Sequence, residues 1–325
     1  MKYTKITRSL IAVSALAMGM ALYGTARAEA YAASYQDLQG VISAGSYDGT
    51  DPTTWTVDPN AVTVINATPL SAATASLNLS GVTSGGTGSL DAPAVNAPLS
   101  GVTRLNNVFN TFGPSTTVDY SNADAWIPQT QTGGDPVTQT IAIAESNISG
   151  TGSADSDAQN TSVTGFQVNI NLANPARLRL DLIADSFMRT LISADSAVPP
   201  SQAFAEITTV ATITDASGGI IFTWEPDGTA LSGITGGVDY LDPDNLNTNL
   251  QTVNPGDDFN YTVAAGTVYL AITDILAAGT YTVNLAMEVD TGVIRAPARI
   301  PEPTTLALMG MGLLGLGATR RRRKV

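Results

Sequence analysis

Three short acidic turns hold the residues whose types and spacing suit a binding chemistry. They are Asp48 with Asp51, Asp155 with Asp157, and Asp242 with Asp244 in the run Asp242-Pro243-Asp244-Asn245. Carboxylate and amide oxygens gathered within a few residues suit a hard cation such as calcium, which takes roughly six to eight oxygen ligands. Asp242, Asp244 and Asn245 make the best of the three candidates. None of them supplies the calcium loop of about twelve residues with a closing Glu. Asp and Asn are also the usual formers of tight turns. Calcium is the only cofactor these residues suggest.

Sugar hydrolysis needs two facing carboxylates. Between residues 31 and 300 the only glutamates are Glu145, Glu206, Glu225 and Glu288. Glu225 adjoins Trp224, an aromatic beside an acid, which is how a sugar site begins. A strand-end Glu following a core Trp gives the same two letters. Trp55 and Trp126 lie in polar, turn-rich contexts where an exposed indole would offer a pyranose ring a flat apolar face. Aromatics make up only 6% of the chain, low for a dedicated carbohydrate binder.

The chain has no histidine and no cysteine. That removes Ser-His-Asp and Cys-His triads, histidine-based zinc sites and any disulfide framework. The glycine stretches Ser84–Gly88 and Gly236-Gly237 lack the lysine of a phosphate loop and read as loops. These residues point away from an enzyme.

The elements that would position such side chains read as strands. Short candidates fall at Ala61–Asn66, Ala75–Leu79 and Thr116–Tyr120, separated by turn clusters. Val137–Ala144 alternates, as do Phe166, Val168, Ile170 and Leu172. After the turn signal Asn174-Pro175, Leu178, Leu180 and Leu182 alternate with Arg177, Arg179 and Asp181, which predicts a hairpin with one apolar face. Ala203–Thr214, with Phe204, Ile207, Val210 and Ile213 embedded, and Ile220–Glu225 predict a second hairpin across Ser217-Gly218-Gly219. Phe259–Val263, Val268–Ile272 and Thr280–Val289 add three strands, the last with Tyr281, Val283, Leu285 and Met287 on one face. The expected fold is all-β, an antiparallel β-sandwich. Leu276–Val283 resembles the last-strand entry of secreted jelly-roll modules, which implies a jelly-roll-like body.

Both ends of the chain differ from this body. The N-terminus carries Lys2, Lys5 and Arg8, then an apolar stretch from Leu10 to about Leu22, then small residues at Ala26-Arg27-Ala28 and Ala28-Glu29-Ala30. This predicts a secretory signal peptide, a signal helix cleaved after Ala28 or Ala30. At the other end Pro301-Glu302-Pro303 precedes an uncharged run from Thr304 to Thr319, then Arg320, Arg321, Arg322, Arg323 and Lys324. That run gives about 24 Å of helix, short of the roughly 20 residues that cross a bilayer comfortably. The basic cluster would stay cytoplasmic, so the chain would be exported, halted at its C-terminus and left facing outward.

This order of parts resembles the PEP-CTERM sorting signal of Gram-negative bacteria. The resemblance implies a processing enzyme of the exosortase type in the inner membrane as partner, with Pro301, Glu302 and Pro303 as the residues it reads. It further implies transient anchoring, delivery to the cell surface or medium, and association with exopolysaccharide or other surface proteins.

The predicted organisation is a signal peptide at 1–30, a Ser/Thr/Gly/Ala-rich region at 31–135, a β-sandwich domain at 136–295 and a sorting tail at 296–325. Residues 31–300 hold no lysine and six arginines against 26 acids. Such a surface repels nucleic acid, because nothing basic neutralises the phosphates. The expected function is a non-enzymatic exported surface or matrix protein, or alternatively a secreted glycan- or calcium-binding module.

Overall fold

Alternation at period two governs this chain, since successive side chains of a strand point to opposite faces. In the strand Arg177–Ile192 every second residue from Leu178 to Ile192 is buried. In Gly279–Arg295 the buried set includes Tyr281, Val283, Leu285, Met287 and Val289. The computed structural model describes residues 29–47, 49, 51–58, 60–79, 87–89, 120–126, 137–148, 156–194 and 201–295. The signal segment, the sorting tail, Asp48 and Asp155 lie outside them, as do the two terminal helices expected above.

In chain order the strands are β1 (Ala30–Ser46), β2 (Thr56–Val57), β3 (Val62–Leu79), β4 (Thr87–Ser89) and β5 (Tyr120–Trp126). There follow β6 (Val137–Ile148), β7 (Ser156–Leu172), β8 (Arg177–Ile192), β9 (Ser201–Asp215) and β10 (Ile220–Trp224). The last five are β11 (Ile234–Thr235), β12 (Gly237–Leu241), β13 (Thr248–Thr252), β14 (Asp258–Thr273) and β15 (Gly279–Arg295). No α-helix occurs among the described residues; Pro52–Thr54 form one 3-10 turn.

These strands make two sheets, antiparallel apart from the short parallel pair β4–β5. One runs β12-β14-β8-β1-β6-β5-β4 with β2 beside β1; the other runs β11-β10-β9-β15-β7-β3 with β13 beside β9. Their inner faces share one apolar core. Leu38, Ile42, Leu178, Leu180 and Tyr269 come from the first sheet, and Val168, Ile170, Ile207, Phe222, Trp224 and Leu285 from the second. Burying each such side chain contributes about 1.5–3 kcal/mol. Polar bridges cross the same interface: the Gln36 amide donates to Thr209 Oγ1 at 2.9 Å, and Ser146 and Thr291 hydroxyls meet at 3.1 Å.

Several expectations change in three dimensions. β7 and β8 are not a hairpin. β7 pairs with β15 and β3, whereas β8 pairs with β1 and β14 in the other sheet, so Asn174-Pro175 carries the chain between sheets. Most successive strands alternate between sheets in this way. The body is thus two facing, mainly antiparallel sheets joined largely by crossovers, as an all-β two-sheet fold requires. The β9–β10 hairpin does form, but β9 buries Ala203, Ala205, Ile207, Thr209, Ala211 and Ile213, leaving Phe204 and Val210 on the outer side.

Two pairs of predicted strands also merge. Ala61–Asn66 and Ala75–Leu79 join in β3, which continues through Pro69 because β3 ends its sheet and one of its sides needs no ladder donor. Phe259–Val263 and Val268–Ile272 join in β14, with a register shift between Val263 and Thr267. Strands from both sides of residue 135 share each sheet, and β1 lies between β6 and β8.

Candidate functional site

The β9–β10 hairpin aims Trp224 into the core at 0% exposure and leaves Glu225 outside. The aromatic and the acid that adjoin in sequence thus face apart. Beyond Trp224 the chain leaves the sheet and doubles back through glycines of positive φ at 228, 233 and 236. It then crosses to the other sheet as β12.

There Asp239 stands opposite Ala271 on β14, and Tyr269 is two residues away on that strand. Alternate residues share a face, which puts Asp239, Ala271 and Tyr269 on one side, all at 0% exposure. Asp242 follows the strand and is 5% exposed. Its Oδ2 accepts backbone N–H groups from Asp227 at 2.7 Å and Gly228 at 3.0 Å, which fastens the excursion to the end of β12.

The remaining polar atoms of this interior cluster have no hydrogen-bond partner. They are both Asp239 oxygens, Asp242 Oδ1, the Tyr269 hydroxyl and the Trp224 indole nitrogen. Burial and the adjacent Asp242 charge push the Asp239 carboxyl up to about 7. The Trp224 N–H lies near enough to oppose that rise without making an aligned hydrogen bond. Burial also raises Asp242, against the pull of the Asp227 and Gly228 N–H groups. Tyr269 is raised by burial and then by Asp244, Tyr261 and Asp242.

Of Asp242, Asp244 and Asn245, only Asp242 turns an unpartnered buried oxygen into this cluster. The Asn245 side-chain oxygen accepts the Asn247 N–H at 2.7 Å, and its carbonyl accepts the Tyr261 hydroxyl at 2.7 Å. Asn245 therefore shapes a turn. Asp244 is half-buried and acts on Tyr261 and Tyr269 only through its charge. Sequence reasoning missed Asp239, whose signal was an acid at an inward position of a short strand. Among the described residues no three acidic side chains converge.

The other sequence candidates are dispersed. Asp51 caps the 3-10 turn, accepting the Thr53 N–H at 2.8 Å. Asp157 lies within β7 opposite Ile294. Glu145 is buried in β6 and accepts the Tyr31 hydroxyl at 2.7 Å. Glu206 stands opposite Asp290 across β9 and β15; burial, and then the Asp290 and Glu206 charges, raise Glu288.

Trp55 is half-buried, 6.4 Å from the Tyr47 ring, which meets Tyr240 edge-on at 5.7 Å and lies under the Arg177 guanidinium at 5.2 Å. Trp126 ends β5, opposite Ile141. Ala30 is the first residue of β1. Ala28, Pro301, Glu302, Pro303, Arg320, Arg321, Arg322, Arg323 and Lys324 lie outside the described residues. Within those residues no helix is long and apolar enough to cross a membrane.

Neither a curated protein nor a solved structure matches the chain. A family model, the PEP-CTERM protein-sorting motif, matches residues 299–323. The chain therefore carries a PEP-CTERM protein-sorting motif at its C-terminus, the mark of an exported protein that is transiently anchored in the membrane and sorted by exosortase.

Proposed function

We propose that this is a non-enzymatic structural protein of the cell surface or extracellular matrix of a Gram-negative bacterium, associated with exopolysaccharide. The observation that carries the reading is the pairing of the sorting motif with an acidic two-sheet body. Between their buried core residues the same strands carry carboxylates at half-buried or exposed positions, Asp37, Asp181 and Asp185 on one sheet and Glu206, Glu288 and Asp290 on the other. Such charge keeps a body soluble in a hydrated matrix and favours polyvalent cations or cationic partners over nucleic acid.

The test is intact mass and fractionation of the protein from its host, with and without the processing enzyme. We expect a form lacking the Arg-rich tail at the surface or in the matrix, and depletion of the matrix on deleting the gene. A full-length chain retained in the inner membrane in both strains would overturn the reading. A glycan-binding module is the second reading. The Trp55–Tyr47–Tyr240 cluster beside Arg177 favours it, because aromatic faces and a guanidinium suit a sugar ring and its hydroxyls.

A further inference from the structure

We infer that one pole of the two-sheet body, made by the start of β1, the turn at residues 253–257 and the end of β15, is the surface presented to the membrane-embedded processing enzyme. This inference rests on the sorting motif being read by that enzyme, and not on the matrix role.

Both ends of the body lie at this pole. Ala30 opens β1 opposite Ile148 and Ile192, and Arg295 closes β15 opposite Ser156 and Ser201. Ala30, Ile148, Ile192, Ala203 and Val293 share one small core that ties the two sheets together here. The turn at residues 253–257 is fastened to it: the Ile192 N–H donates to the Asp257 carbonyl at 3.1 Å, and the Gly256 N–H donates to the Ile192 carbonyl at 2.7 Å. At the other pole β9 ends in Asp215, opposite Tyr281. β9 is 15 residues long, which puts the two poles about 45 Å apart at the strand rise.

The tether is short against that length. Only residues 296–300 separate Arg295 from Pro301, and six residue steps span at most about 22 Å however the chain is arranged. The uncharged run of the tail starts at Thr304. An enzyme in the membrane that reads Pro301-Glu302-Pro303 therefore works between the bilayer and this pole, with the far pole a further body length away.

Charge selects the enzyme over the lipid as the contact. Of the two arginines here, Arg189 pairs with Asp258 at 2.8 Å and Arg295 is buried. Half-buried Asp257 and exposed Asn254, Pro255 and Gly256 complete the surface. Among the described residues it offers anionic lipid no unengaged cation, and it fits a polar or basic protein surface.

The chain has no cysteine, so a single introduced thiol can carry a photo-crosslinker to a chosen point. The experiment compares Val253→Cys at this pole with Ala216→Cys in the turn at the other. Both positions are exposed, so neither change removes a core contact. Each is labelled with benzophenone maleimide in the chain that retains its tail, and illuminated with the processing enzyme in phosphatidylethanolamine–phosphatidylglycerol vesicles. We expect Val253→Cys to join the enzyme several-fold more than Ala216→Cys. A Gly/Ser spacer of about 30 residues between Arg295 and Pro301, which adds roughly 30 Å of mean reach, should erase that preference while the tail is still removed. Equal crosslinking from the two positions, crosslinking of Val253→Cys to lipid alone, or a preference that survives the spacer would overturn the inference. Removal of the tail with no crosslink from either position overturns this inference alone. A tail that stays on in the presence of the enzyme overturns the reading of the motif as well.

Discussion

Asp37 and Asp185 stand directly opposite one another on β1 and β8, two half-buried carboxylates facing across neighbouring strands. Burial raises the Asp37 carboxyl. The Gln139 amide opposes this by donating to its two oxygens at 2.9 and 2.8 Å, and the Asp185 charge adds to the rise. Beside them, burial and both carboxylates push the Tyr35 hydroxyl up to about 12. Like charges directly opposite in a sheet destabilise it, and cross-strand pairs are worth roughly 0.2–1 kcal/mol. Asp185→Asn should therefore stabilise the protein by about that amount at pH 7. Urea denaturation checks it, with a higher midpoint and an unchanged slope as the expected result.

Stability should fall as pH rises from about 4 to about 7 in calcium-free buffer. Asp239 has its folded-state carboxyl raised from 3.8 to about 7, so between those values the folded chain holds a proton that the unfolded chain has lost. The unfolded state then binds fewer protons, and each pH unit costs up to about 1.4 kcal/mol for one group. Asp37 and Asp242, also raised, add the same sign at the acidic end of the window. Asp258, lowered by Arg189, acts oppositely: its contribution is present above 3.8 and is lost as pH drops further. Thermal melts across pH 3–9 measure this, and Asp239→Asn should flatten the decline near neutrality.

Gly236 and Gly266 both hold positive φ, at 74° and 85°, yet they should respond differently to alanine. At Gly266 an added Cβ meets nothing within 4 Å, so only backbone strain of about 1 kcal/mol applies. At Gly236 the same atom presses into the Ile221 carbonyl oxygen and toward the Phe222 Cα at 3.3 Å. Gly236→Ala should cost clearly more than Gly266→Ala. Paired denaturation curves of the two variants decide, and equal losses would contradict the packing argument.

The mature chain should begin at Glu29. The Glu29 N–H donates to Ser193 Oγ at 2.8 Å, and its carbonyl accepts the Ser193 N–H at 2.8 Å. Ala30 is paired with Ile148 on one side and Ile192 on the other, inside a small core with Ala32, Ala203 and Val293. Cleavage after Ala28 preserves this end of β1, whereas cleavage after Ala30 removes it. N-terminal sequencing of the exported protein should read Glu-Ala-Tyr, and a Tyr31 start would refute this.

Local physics alone determined much of this protein. The period-two alternations at Val168–Leu172, Leu178–Leu182 and Tyr281–Met287 were legible because a strand exposes its two faces by turns whatever its partners are. The sorting motif was legible because another protein reads it as a linear signal. In Ala203–Thr214 the strand was visible but its face was not, since Phe204 and Val210 are as apolar as the residues that point inward. The destination of each strand was beyond the sequence. Asn174-Pro175 specifies a turn, but only packing decides whether the next strand pairs beside the last or crosses to the facing sheet. The same holds for the candidate site. Asp242, Asp244 and Asn245 adjoin in the chain, yet folding separates their roles. Asp239 joins Asp242, Trp224 and Tyr269 only when β12 docks on β14, because their shared isolation from water is a property of the assembled sheets and of no local segment.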